Sequence, residues 1–148
     1  MIVEREVMIE APAEVVWSVV TEPEQVCQWF ADEAVFEAKP GAEGAFVFKN
    51  PPMTVPLRVE QVRPPELFSF RWVYPDAAEP GPENSVLVEF TLQSEGDATR
   101  LRVVESGFDK LDWPEKEKLD YIAEHTEGWR EHLGEMRTYA PKLRLTRL

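Results

Sequence analysis

The sequence predicts an α+β fold in a single domain over residues 1–148: one strand, two short helices, a run of six strands and a long C-terminal helix. Three observations carry that expectation. Short stretches alternate apolar and polar residues at period two, the pattern of half-buried strands. Prolines sit between or at the ends of those stretches, where a missing N–H does not interrupt a sheet ladder; Pro40, Pro51, Pro52, Pro56, Pro64, Pro65, Pro75, Pro80 and Pro82 are so placed. The last stretch, by contrast, repeats its apolar residues at helical spacing.

Taken in order, Ile2–Glu10 alternates apolar and charged residues and reads as the first strand. Ala11-Pro12-Ala13-Glu14 opens a helix, with proline suited to the first turn and Glu14 to its positive end. Val15, Val16, Val19 and Val20 follow at helical spacing. Valines are mediocre helix formers, so burial must hold this element. Pro23-Glu24 starts a second short helix running to Trp29-Phe30. Six strands are expected at Ala34–Ala38, Ala45–Asn50, Thr54–Val62, Leu67–Tyr74, Ser85–Gln93 and Thr99–Ser106. Turn-competent segments at 40–44, 64–66 and 95–97 separate several of them. The long helix runs from Pro114 or Glu115 to Ala140 and is closed by Pro141. Successive strands with short connections favour an antiparallel meander. Only the final helix is long enough to cover one face of it.

Composition narrows the function classes. A chain of 148 residues buries roughly 68–70% of its unfolded surface, enough for a core without metals or crosslinks. Sixteen Lys plus Arg against 28 Asp plus Glu give a formal charge of −12, which argues against sequence-independent nucleic-acid binding and against adhesion to an anionic membrane. The single cysteine, Cys27, excludes an intrachain disulfide and fits a reducing compartment. The N-terminus has no apolar signal segment and no stretch is long enough to span a membrane, so a cytoplasmic location is expected.

Alternation also assigns side-chain directions. Phe68, Phe70, Trp72 and Tyr74 share one face of their strand; so do Phe46 and Phe48, and Val86, Val88, Phe90 and Leu92. In the last strand Leu101, Val103 and Glu105 project together. On the long helix Leu119, Ile122, Trp129, Leu133, Met136 and Ala140 form an apolar stripe, opposite Glu117, Asp120, Glu124, Glu127, Glu131 and Glu135. Rings on a concave sheet either fill the space under the helix as a solid core or line a pocket there.

Several local patterns then coincide: Ala11-Pro12-Ala13-Glu14-Val15-Val16-Trp17, Trp29-Phe30, Pro64-Pro65-Glu66-Leu67-Phe68-Ser69-Phe70-Arg71-Trp72, Thr99-Arg100-Leu101, Glu105-Ser106-Gly107-Phe108 and Gly128-Trp129-Arg130-Glu131-His132-Leu133. In this order they resemble the START-like helix-grip (SRPBCC) superfamily. More narrowly, the chain resembles the family named after the C-terminal domain of the heat-shock protein 90 ATPase activator. The resemblance extends over about Val3 to Ala140 and implies a curved antiparallel sheet gripping the C-terminal helix, in the order β-α-α-β(6)-α, with an apolar cavity between them. The superfamily hosts carriers, cyclases and co-chaperone domains, so its fold does not choose among them. The eukaryotic co-chaperone's additional N-terminal domain has no counterpart in this sequence, which argues against direct chaperone activation.

Each candidate site residue has two readings. Glu105, facing the cavity near a strand end, either acts as an acid or orients a polar ligand group; otherwise the strand frays and Glu105 meets water. His125 and His132, seven residues apart, stand about 10 Å apart along a helix axis, too far to share one metal ion. Cys27 is either a nucleophile or a small buried hydrophobe. The Tyr74–Asn84 segment is either a lid or a solvated hairpin tip. No cofactor is expected. The first functional reading is non-catalytic binding of a hydrophobic small molecule, with Trp29, Phe46, Phe48, Phe68, Phe70, Trp72, Val88, Phe90, Val103, Glu105, His125, Trp129 and Leu133 as the ligand-facing set. The alternative is a stress-related, co-chaperone-like interaction domain with a protein partner. A cyclase or hydrolase using Glu105 is the third. Monomer and homodimer both remain open.

Overall fold

Alternation in sequence becomes one sheet in the computed structural model, which describes residues 1–73, 80, 81 and 84–143. The elements are β1 (Val3–Ile9), α1 (Ala13–Thr21), α2 (Pro23–Val26), β2 (Glu33–Val35), β3 (Glu43–Lys49), β4 (Pro52–Arg63), β5 (Leu67–Trp72), β6 (Val86–Glu95), β7 (Ala98–Ser106) and α3 (Glu115–Tyr139). Single 3-10 turns follow β7 and α3. The expected β-α-α-β(6)-α succession is thus present. Strands lie in the order β1-β7-β6-β5-β4-β3-β2, every neighbouring pair antiparallel. β2 to β7 form the meander, and β1 closes it by pairing with β7, Val3 opposite Glu105. No helix among the described residues is long and apolar enough to cross a membrane.

Local chemistry shapes the curve of the sheet. β4 carries a bulge between Val59 and Gln61 against β5, which bends the strand and adds twist. The Gln61 N–H displaced there donates to the Ser69 hydroxyl at 3.1 Å. Gly44 lets β2 lie close against β3: a Cβ at that position would sit 2.0 Å from the Val35 carbonyl oxygen. Gly107, with φ of 99°, turns the chain out of β7 through a left-handed conformation that side chains resist.

The core fills the concave side of the sheet, under α1 and α3. Val16, Val19 and Val20 of α1 are buried, as burial-driven helix formation requires. From the sheet, Ile9, Leu57, Val59, Phe68, Phe70, Val88, Leu101 and Val103 are buried on the same side. Arg5 Nε donates to the Thr126 carbonyl at 3.2 Å, tying β1 to α3.

Three expected elements differ in detail. The second helix ends as a helix at Val26; the chain continues to Phe30 through turns, with Phe30 N–H bonded to the Val26 carbonyl at 2.9 Å. β2 is shorter than Ala34–Ala38, because a tight turn, Lys39 N–H to Glu37 carbonyl at 2.8 Å, takes over beyond it. Leu119 is 53% exposed rather than part of the α3 stripe. The buried face runs through Tyr121, Trp129, Leu133 and Met136, and a residue two positions before Tyr121 lies about 200° around the helix. Tyr74, most of the Tyr74–Asn84 segment and the tail beyond Leu143 lie outside the described residues.

Candidate functional site

The inward face of β7 delivers a carboxylate to the middle of the protein. Leu101, Val103 and Glu105 are each fully buried, so the strand does not fray at Glu105. Partners on β1 and β6, Val3 and Val88, hold it from both sides. Glu105 Oε1 accepts from the Trp129 indole N–H at 2.5 Å and faces His125 Nδ1 at 2.8 Å. Its Oε2 accepts from the Trp72 indole N–H at 3.3 Å and the Tyr121 hydroxyl at 3.2 Å. An ionised carboxylate only accepts, and here each oxygen meets two donors. Among the described residues no buried side-chain nitrogen or oxygen lacks a partner.

Helix periodicity explains how one carboxylate collects three of those groups. Tyr121, His125 and Trp129 are successive i, i+4 neighbours on one face of α3. The Tyr121 and His125 rings stack with centroids 3.6 Å apart. Trp72 closes the set from the end of β5.

Above this cluster lies a cavity of about 240 Å³. Phe30, in the turns after α2, forms one wall, and Phe48 of β3 with Met53 and Val55 of β4 forms the next. Trp72 and Trp129 make its floor, and α3 adds Glu124, His125, Gly128 and His132. Phe30 stacks on Trp129 at 5.4 Å and on Trp72 at 5.9 Å, so three rings lie almost parallel. Glu124 is exposed and marks the mouth. An addition at Gly128 would meet nothing within 4 Å, so the absence of a side chain there is space for the cavity.

His132 Nδ1 lies 3.2 Å from the Trp29 carbonyl, which only accepts, so this nitrogen carries the proton. Burial lowers the His132 pKa from the ordinary value; the Trp29 carbonyl, then Glu131 and Glu135, oppose that shift, and His125 adds to it. At neutral pH the ring is uncharged.

The residues expected to face a ligand separate into two groups. Phe48, Trp72, His125 and Trp129 line the cavity. Trp29, Phe46, Phe68, Phe70 and Phe90 instead surround a deeper gap of about 10 Å³, room for one water at most. Trp29 is fixed there by its N–H bond to the Val19 carbonyl at 3.0 Å. Val88, Val103 and Leu133 are buried in the core. Glu105 lies beneath the floor and reaches the cavity through Trp72, His125 and Trp129. The lining residues left out of the expected set are Phe30, Met53, Val55, Glu124, Gly128 and His132. Val55 lay within the expected strand Thr54–Val62, and Met53 was missed because β4 begins two residues before Thr54, at Pro52. Cys27 is half-buried at the end of α2, away from the cavity lining. Among the described residues no group of three or more His, Cys, Asp or Glu side chains could hold a metal ion.

Comparison with known proteins places this geometry. A family model described as activator of Hsp90 ATPase homolog 1-like protein matches residues 10–140. Among solved structures, protein MLL2253 from Mesorhizobium loti is similar at TM-score 0.81 and 20% identity, covering 98% of this chain and 100% of its own. The Aha1 dimer from Colwellia psychrerythraea is similar at TM-score 0.75 and 16% identity, covering 93% of each chain. DynU16, from the dynemicin biosynthetic locus, is 28% identical at TM-score 0.75 over 93% of this chain, which spans 46% of DynU16. No curated protein matches the chain.

Proposed function

The chain belongs to the activator of Hsp90 ATPase homolog 1-like family, and we propose that it acts as a binding protein for an apolar, ring-bearing small molecule held between the sheet and α3. The observation that supports this reading is the cavity of about 240 Å³ walled by Phe30, Phe48, Trp72 and Trp129. A dry cavity of about 150 Å³ holds one benzene-sized ring, so this volume suits a molecule of one to two rings. Phe30 and Phe48 are half-buried and Glu124 exposed, which gives the guest an entrance without unfolding. Glu105, under the floor, serves this function by fixing the two indoles and the His125 ring in place.

Titration with prodan, a neutral solvatochromic naphthalene dye, tests the reading. Saturable one-to-one binding with blue-shifted emission is expected, and Gly128→Leu, which fills the cavity, abolishes it. Unshifted emission, or binding untouched by that substitution, overturns it.

A second reading, a co-chaperone-like interaction domain, draws on the family and on the exposed acidic residues Glu117, Asp120, Glu127, Glu131 and Glu135 of α3. It predicts a basic partner recovered from cytosol at low salt and lost at high salt; no salt-sensitive partner counts against it.

A further inference from the structure

The polar inventory of the cavity is one-sided. Among the described lining residues the indole N–H groups of Trp72 and Trp129 are committed to Glu105, the other polar side chains are Glu124, His125 and His132, and none is Lys, Arg, Ser, Thr, Asn or Gln. Glu124, as a carboxylate, accepts. His132 commits its Nδ1 proton to the Trp29 carbonyl, which leaves Nε2 as the acceptor of the neutral ring. Burial holds that ring neutral at pH 7. His125 likewise turns its Nδ1 to a buried partner, the Glu105 carboxyl, at 2.8 Å. Two imidazoles on one helix are therefore oriented the same way by different partners, one a buried carboxylate and one a backbone carbonyl.

We propose that the cavity selects guests that donate a hydrogen bond, namely an uncharged aromatic ring carrying an O–H or N–H group, and discriminates against carboxylates and phosphates. This rests on the small-molecule binding reading above and specifies its ligand class. An anionic guest finds no Lys or Arg in the described lining, meets Glu124 at the mouth, and approaches a chain of net charge −12. A ring with no donor gains the aromatic contacts but leaves the His132 acceptor without its polar partner. A donor-bearing ring gains both.

The test uses three probes on one frame: 2-naphthol, 2-methoxynaphthalene and 2-naphthoate, titrated calorimetrically into the full chain at pH 7.5. The expected order is 2-naphthol tighter than 2-methoxynaphthalene by about three- to tenfold, the worth of one net hydrogen bond, with 2-naphthoate weakest. His132→Phe should bring the ratio between the first two toward one. If that variant fails to fold, the 15N shift of His132 Nε2 in the unsubstituted protein reads the same contact, moving with 2-naphthol and not with 2-methoxynaphthalene. Equal affinities for the first two probes, or 2-naphthoate binding tightest, overturn this proposal while leaving the binding cavity intact. Failure of all three to bind, together with a negative prodan titration, overturns both.

Discussion

Glu105 is a carboxyl group placed where a leucine would ordinarily sit, and it is tolerable because four side chains converge on it. Removing the acceptor deprives the buried Trp72 and Trp129 indole N–H groups of their hydrogen bonds. Glu105→Gln keeps the shape but turns an NH2 toward an indole N–H or a neighbouring donor. We expect it to lower unfolding free energy by about 1–3 kcal/mol, measured by urea denaturation, with the indole fluorescence of the native state altered. His132 makes a separate prediction in pH. Its pKa in the folded protein lies below the ordinary histidine value because of burial, so the unfolded chain binds the proton more readily. The stability this contributes is fully present above about pH 6.5 and is lost as pH falls from there through the folded pKa. Thermal melts across pH 7.5 to 5 should show a decline that His132→Phe reduces; identical declines in both proteins would remove His132 from the account.

Within elements, the main errors of the sequence reading have one physical source: which of several periodic faces the neighbours choose. The α3 pattern admits a stripe containing Leu119 or one containing Tyr121, and periodicity does not distinguish them. The partners do, because Glu105 binds Tyr121 and thereby fixes the rotation of the helix. Leu133→Ala should therefore cost about 2–5 kcal/mol of stability, whereas Leu119→Ala should fall within about 0.5 kcal/mol of neutral, both by denaturant titration. The antiparallel meander and the inward direction of Glu105 were legible from short connections and period-two alternation, whereas the pairing of β1 with β7 joins strands far apart in the chain and follows from neither. The cavity was not. Phe46 and Phe48 share a face of β3, yet one packs in the depth of the core and the other opens onto free space. Phe30 meets both rings, but Phe46 also meets Phe36, Phe70 and Trp72, and alternation within a strand carries no information about rings arriving from other elements. Gly128 left no apolar mark to follow, because its contribution is an absent side chain.

At the scale of the molecule, the interior has two regimes along the sheet. Near α1 the rings of Phe68, Phe70 and Phe90 close around a gap of about 10 Å³; towards β3, β4 and the middle of α3 the rings of Phe30, Phe48, Trp72 and Trp129 touch one another yet border a cavity of about 240 Å³. The packed region supplies stability and the other supplies room, so changes in the second need not endanger the first. Gly128 shows how finely such a division is set. A glycine inside a helix forfeits about 0.5–1 kcal/mol relative to alanine, and here the forgone methyl would have projected into the space beneath Phe30 and Phe48. One codon thus governs a trade between rigidity and guest size: members of the fold carrying a larger residue at this point of the helix would be sturdier and more selective for slender molecules, without a single alteration to the buried acid below.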